Sequence, residues 1–341
     1  MNLEEETGDV VMGKKLVRFA VIGTSKITEN FLSAAKDIEG FKLAAVYSRS
    51  REKGEEFAKN HGVEQVFTSL EEMAESSMID AVYIASPNAY HCRQAIMMMK
   101  GKKHVLCEKA FASNLIEVEE MIKTAKENNV LLMEAMKNTF LPNFQAVKEN
   151  IHKIGKVRRY SASYCQYSSR YDKYREGVVL NAFKRELSNG SLMDIGVYTI
   201  APMIALFGSP KSIKANGYIL ESGVDGEGSA IFEYDNMLAN VAYSKISDSY
   251  LPTEIQGEDG TILIDAINGI TNVKIKYRDG REEDITRKQH LNTMYYEIEE
   301  FINLINNSIF ESEINSFEFS KNVMFIMDEC RRQIGLKYPA D

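Results

Sequence analysis

The sequence predicts an α/β protein in two parts: an N-terminal doubly wound parallel sheet over residues 16–137, and a C-terminal α+β part over residues 138–341 with an open, mostly antiparallel sheet. Three observations predict it. The 341 residues exceed the roughly 250–300 that one hydrophobic core usually serves. From Leu16 to Met133, apolar strand-like runs alternate with helical segments, the pattern of βαβ units with right-handed crossovers. Past Asn138 the strand-like runs follow one another directly, parted by turn pairs such as Asp235-Asn236, Asp259-Gly260 and Asp279-Gly280.

Residues 1–15 read as a flexible leader, with four acids (Glu4, Glu5, Glu6, Asp9) and no periodicity. Leu16–Ile22 is a continuous apolar run, which suits a strand covered on both faces. Helical spacing follows at Ile27, Phe31, Leu32 and Ala35, and Gly40 stops it. Further strands are expected at Phe41–Tyr47, Gln65–Phe67, Ala81–Ala85, His104–Cys107 and Val130–Met133, with helices between them. Ser69-Leu-Glu-Glu72 and Asn114-Leu-Ile-Glu117 have the form of capping boxes. In the second part, Phe144–Ile154 reads as helix and Val157–Cys165 as a long strand. A helix follows within Gly190–Phe207, then strands Ser212–Ile219, Gly228–Tyr234, Met237–Ser244, Thr253–Gly257, Thr261–Asp265 and Val273–Arg278. Two helices, Met294–Asn307 and Phe317–Ile334, finish the chain, and Gly335 stops the last.

Composition excludes several classes. Asp plus Glu number 49 against 41 Lys plus Arg, a net charge of −8 without a dense basic block, so a dedicated nucleic-acid binder is not expected. The four cysteines form no CxxC pair, which speaks against a zinc knuckle or a disulfide framework. The first ten residues are no signal peptide, and Val197–Phe207 is about half the ~20 residues a membrane span needs. A soluble, cytoplasmic protein without membrane partner or metal is the expectation.

Ligands of doubly wound sheets bind beyond the carboxyl ends of the strands. After the first strand stands Gly23-Thr24-Ser25-Lys26-Ile27-Thr28, which keeps only the first glycine of the G-x-G-x-x-G dinucleotide fingerprint. Ser25 is small enough for a pyrophosphate to approach the helix N-terminus; an ordinary strand-to-helix turn is the alternative. The second strand ends in Ser48-Arg49-Ser50-Arg51 with no carboxylate, and hydroxyls beside a guanidinium suit a 2′-phosphate, favouring NADP(H) while leaving NAD(H) open. The alternative there is a solvated basic turn.

Two later segments, Ser86-Pro87-Asn88 with His91 and Gly101-Lys102 with Glu108-Lys109, resemble in type and spacing the Gfo/Idh/MocA family of NAD(P)-dependent oxidoreductases. Ala110 stands where that family has proline, and a looser turn around Lys109 is the expected consequence. Met133–Met136 with Phe140-Leu141-Pro142, the run from Asn189 to Asp194 and Tyr198, and Gln333–Pro339 are similar to the branch that contains dimeric dihydrodiol dehydrogenases and NADP-dependent D-xylose dehydrogenases. The resemblance spans residues 17–339 and implies a Rossmann domain joined to a substrate-binding and oligomerisation domain. It also implies a homodimer or homotetramer and a small sugar, polyol or cyclic diol as substrate. Ser86, Pro87, Asn88, His91, Glu108 and Lys109 then join Gly23, Thr24, Ser25, Lys26, Ile27, Ser48 and Arg49 as cofactor-binding candidates.

Hydride transfer at an alcohol carbon needs a group that takes or gives the hydroxyl proton. Lys109, Asp194 and Tyr198 are the catalytic candidates, and with Tyr167 they are the substrate-binding ones. Asp194 and Tyr198 are four apart and would share a helix face. A nearby ammonium lowers a phenol's pKa, so a Lys109–Tyr198 pair is expected to shuttle a proton near neutral pH. The competing reading is that Tyr198 packs and Asp194 caps its helix, in a non-catalytic nucleotide-binding sensor or partner-binding protein on the same fold.

Overall fold

The computed structural model describes residues 10–11 and 14–341. The expected leader lies mostly outside the described residues; within it, β1 (Val10–Val11) and β2 (Lys14–Lys15) pair antiparallel. The first main sheet has six parallel strands: β3 (Val17–Ile22), β4 (Phe41–Tyr47), β5 (Gln65–Phe67), β6 (Ala81–Ile84), β7 (His104–Glu108) and β8 (Leu132–Ala135). Their spatial order is β5-β4-β3-β6-β7-β8, so the order reverses at β3 and a crevice opens beyond the carboxyl ends of β3 and β6. Helices α1 (Lys26–Ala35), α2 (Arg51–Asn60), α3 (Leu70–Glu75), α4 (His91–Lys100) and α5 (Leu115–Asn128) connect them. Both expected caps form: Ser69 Oγ accepts from the Glu72 amide at 3.2 Å, and Asn114 Oδ1 accepts from the Glu117 amide at 3.0 Å. Glu117 reaches back to the Ser113 amide at 2.7 Å, one residue before the cap.

Strand β8 begins two residues later than the apolar run from Val130 predicts. Asn129 ends α5 in the left-handed region with φ 53°, and Val130 still donates to Ala125, so the start of the run is spent in leaving the helix.

After α6 (Pro142–Asn150), the second sheet has eight strands: β9 (Val157–Cys165), β10 (Ser212–Ile219), β11 (Asp225–Glu233), β12 (Leu238–Ser244), β13 (Thr253–Gly257), β14 (Gly260–Ile264), β15 (Val273–Tyr277) and β16 (Glu282–Asp284). All pairings are antiparallel except β12 with β9, and the order is β10-β11-β12-β9-β13-β14-β15-β16. The three-residue, solvated edge strand β16 and the short helix α7 (Tyr171–Arg175) show no sequence periodicity and were not expected. Helix α8 (Val197–Phe207) lies under this sheet and is mostly buried inside the protein.

Two C-terminal helices tie the sheets together. Helix α9 (Tyr295–Asn306) returns to the parallel sheet, where fully buried Phe301 meets Phe19 of β3 with ring centroids 5.8 Å apart. Helix α10 (Phe317–Ile334) bonds β10 through Gln333 and the N-terminus of α5 through Asp328.

The start of the α8 segment departs from a plain helix. Leu192–Gly196 forms a π-helical turn, and fully buried Asp225 at the start of β11 accepts the Leu192 amide at 2.7 Å. Gly190, with φ +144°, has no side chain to collide with that carboxylate. Burial pushes the Asp225 carboxyl up to about 6 against its hydrogen bonds to backbone amides. The folded carboxyl thus keeps its proton to higher pH than the unfolded one, and its stabilising contribution is lost as pH rises through about 6. Between pH 3 and 7.5, urea unfolding should show the wild type losing up to about 3 kcal/mol relative to Asp225→Asn, with a constant difference above pH 7. A difference independent of pH would contradict this.

Candidate active site

Three strand ends of the parallel sheet lie side by side. Gly23 follows β3 with φ +111°, and a Cβ there would come 2.8 Å from the Ala85 carbonyl oxygen beyond β6. Ser86 follows β6, and Lys109 follows β7. His91, at the start of α4, has its two ring nitrogens 2.7 Å from the Ser86 carbonyl oxygen and 2.9 Å from that of Ala110. It is fully buried and braces the β6 and β7 loops. Ala110 is also fully buried, and the Lys109–Ala110 peptide is cis.

The remaining strand-end candidates divide in two. Thr24, Ser25, Lys26 and Ile27 open α1, whose cap residue Ser25 makes no side-chain capping bond, so the first helix amides have no side-chain partner there. Thr28 Oγ1 is buried and unpartnered beside them. Ser48 Oγ accepts the Ser50 amide at 3.3 Å, Arg51 pairs with Glu55 at 3.7 Å, and Arg49 is exposed with no ion-pair partner among the described residues. Ser86, Asn88 and Glu108 turn inward instead. Ser86 Oγ donates to Gln94 at 2.6 Å, and Asn88 Nδ2 donates to the Ser188 carbonyl at 2.8 Å, joining the Pro87 loop to the loop before Asp194.

Lys109 crosses from the parallel sheet to the α8 segment. Its Nζ donates to the Asp194 carbonyl oxygen at 2.7 Å and to Asp194 Oδ1 at 2.9 Å, and it stands 5.1 Å from the centroid of the Tyr198 ring. The other carboxylate oxygen, Oδ2, pairs with Lys245, which follows β12. Tyr164, at the end of β9, meets Tyr198 edge-on at 5.8 Å, and its hydroxyl accepts from Asn268 at 3.0 Å. Asn138 Nδ2 donates to the Tyr198 carbonyl at 3.3 Å. The three catalytic candidates are therefore together. Asp194 lies in the π-helical turn while Tyr198 opens α8, so the two reach Lys109 from successive turns of different pitch, not from the face of one regular helix.

Charges in the cluster are strongly set. Burial works against the Asp194 charge, but Lys109 and Lys245 outweigh it and hold the carboxyl far below the ordinary range. Burial likewise opposes the Lys109 charge, and the Asp194 carboxylate foremost holds its ammonium above the usual lysine value. Burial raises the Tyr198 phenol well above its ordinary value, and the ammonium of Lys109 recovers only part of the shift. The expected phenol titrating near neutral pH is not found: desolvation outweighs the cation. Behind Lys109, Glu108 accepts the Tyr83 hydroxyl at 2.5 Å, and burial raises its carboxyl. Glu297 of α9 is fully buried with neither oxygen partnered, and burial together with Glu108 pushes it well upward.

Among the described residues, no contact brings Tyr167 to this trio. Its hydroxyl donates to Asp172 at 2.8 Å, and its ring joins Tyr171 in an aromatic cluster with Tyr174 and Phe183. Lys245, Asn138 and Asp225 were missed. For Lys245 the available signal was its place at the carboxyl end of a strand; no motif surrounds it.

Residues 17–136 match the Gfo/Idh/MocA oxidoreductase family, NAD-binding Rossmann fold, and residues 144–263 match the Gfo/Idh/MocA C-terminal domain. The chain is 60% identical over 326 residues to scyllo-inositol 2-dehydrogenase (NADP(+)) IolU of Bacillus subtilis, covering 96% of this chain and 99% of that protein. It is 30% identical over 337 residues to trans-1,2-dihydrobenzene-1,2-diol dehydrogenase of Xenopus tropicalis, covering 94% and 99%. Among solved structures, KijD10, a 3-ketoreductase from Actinomadura kijaniata in complex with NADP and TDP-benzene, shares the fold with a TM-score of 0.83 at 21% identity, over 94% of this chain and 98% of that one. A parallel sheet with a dinucleotide-type first turn, a second and mostly antiparallel sheet, and a relative at 60% identity over nearly the full length have one common meaning: the chain belongs to the Gfo/Idh/MocA family of oxidoreductases.

Proposed function

We propose that the protein is an NADP(H)-dependent oxidoreductase that moves a hydride between nicotinamide and a secondary alcohol or carbonyl of a polyol, with Lys109, Asp194 and Tyr198 as the reacting groups. The observation that carries this reading is the Lys109 bond to Asp194 across the two sheets, with the Tyr198 ring beside the same ammonium. The identity to an NADP(+)-dependent scyllo-inositol dehydrogenase supports the polyol.

The first turn fits a dinucleotide. The α1 amides without a side-chain cap and the orphaned Thr28 hydroxyl leave a polar surface for a pyrophosphate. Arg49, with Ser48 beside it, would hold the 2′-phosphate. When bound, NADP(H) supplies the hydride acceptor or donor. Lys109 has three N–H donors and spends two on Asp194, leaving one for the reacting oxygen. Asp194, whose side chain is 34% exposed, accepts from a hydroxyl of the polyol. Tyr198 and Lys109 both hold protons at neutral pH, the state that donates to a carbonyl oxygen as it becomes an alkoxide. Oxidation of the alcohol requires one of them to release its proton first, so the oxidation rate rises with pH. Self-association through the open face of the second sheet, where Tyr218, Ile231 and Leu238 are exposed, belongs to the same reading.

With scyllo-inositol and NADP+, Tyr198→Phe and Lys109→Met should each lower kcat by about 10²–10⁴-fold while NADPH binding, followed by its fluorescence, persists. Turnover within twofold of wild type in both variants would overturn the assignment. Arg49→Ala should weaken NADPH binding by about 10- to 100-fold, the loss of a charge-assisted phosphate contact, and leave NADH binding unchanged. Equal effects on both cofactors would exclude the 2′-phosphate role.

A further inference from the structure

Asp194 is the most exposed of the three charged groups in the cluster. The Lys109 side chain is 14% exposed, and that of Lys245 only 5%. Substrate can therefore reach Asp194 and Lys109, while Lys245 reaches the reaction only through the Asp194 carboxylate. Lys245 is held rigidly. Its amide donates to the Gly226 carbonyl at 2.9 Å, its carbonyl accepts from the Ser168 amide at 2.9 Å, and its ammonium stands 5.7 Å from the centroid of the Phe183 ring.

A carboxylate in this setting that had Lys109 as its only partner would share its one counter-charge with the reacting oxygen whenever the third N–H of that lysine bonded it, and a half-buried, under-compensated charge is costly. We propose that Lys245 is a positioning residue that keeps Asp194 ionised and aimed into the site while Lys109 gives its third N–H to the substrate oxygen. The inference rests on the catalytic reading of Lys109, Asp194 and Tyr198. The groups that face Asp194 are Lys109 from the end of β7, Lys245 from the end of β12, Tyr198 from α8 and Tyr164 from β9. Glu108 lies behind Lys109, and Asp225 of β11 feels the Lys245 charge from the far side. Only the two lysines are cationic, so removing Lys245 removes one of the two charges that oppose protonation of Asp194. The Asp194 carboxyl then rises, and activity is lost as pH falls through its new value.

Two variants and two readouts test this. The first readout is the pH profile of scyllo-inositol oxidation by NADP+, with NADPH binding as the control for an intact cofactor site. Lys245→Met should lower kcat on the order of 10- to 100-fold and add a further acid limb to the rise with pH that the wild type already shows, with NADPH affinity within twofold. Lys245→Arg should restore most of kcat and remove the limb. The second readout is the 13C carboxyl shift of Asp194 in aspartate-labelled protein, assigned with Asp194→Asn; it needs no turnover. In Lys245→Met this carboxyl should titrate at higher pH than in the wild type. An unchanged carboxyl titration overturns the proposal, as does a loss of thermal stability or kcat with no further acid limb. If the wild type oxidises no polyol, the catalytic reading fails, and the carboxyl titration still judges Lys245.

Discussion

The Asp194 carboxylate meets Lys109 at one oxygen and Lys245 at the other, and each lysine comes from the end of a strand in a different sheet. A buried charge of this kind persists only where its counter-charges are held in place. Lys109 is placed by the parallel sheet through β7 and by His91, which spans the β6 and β7 loops. Lys245 is placed by the backbone bonds that end β12, and Asp194 by a π-helical turn whose first amide is taken up by Asp225. The two sheets, the turn and the long C-terminal helices are what bring these three segments within hydrogen-bond distance.

Behind the cations the protein places acids. Glu108 shares a short hydrogen bond with Tyr83, whose ring stacks on Phe31 at 3.7 Å, and Glu297 arrives from α9. Burial favours the neutral form of both carboxyls, and Glu297 feels the charge of Glu108 as well. The Lys109 ammonium therefore feels one firmly ionised carboxylate, Asp194, and one weaker acid, Glu108.

Much of this was legible in the sequence, and the limits have physical causes. The strand-helix alternation is present, and the long strand Val157–Cys165 and the final helix Phe317–Ile334 stand at their expected bounds, because in both the apolar period is uninterrupted and its ends carry turn or cap residues. Lys109, Asp194 and Tyr198 were legible as strand-end and motif residues, and they meet. What local pattern cannot express is tertiary pairing. Lys245 is 51 residues from Asp194 and sits in no motif, and α9 shows an ordinary amphipathic pattern whether it packs on its own sheet or returns to the first. Nor does spacing separate a π-helical turn from an α-helical one at Asp194. The Tyr198 phenol was expected near neutrality from its lysine alone, since the depth of burial that overrides the lysine is a property of the folded chain.

The most direct measurement is a crystal structure of the protein with NADP+ and scyllo-inositol. The account predicts the reacting hydroxyl within hydrogen-bond distance of both Lys109 Nζ and the Tyr198 hydroxyl, a neighbouring hydroxyl on Asp194, and Lys245 still paired with Asp194 Oδ2. A polyol bound away from Lys109 and Tyr198, or one that displaces Lys245 from Asp194, would contradict it.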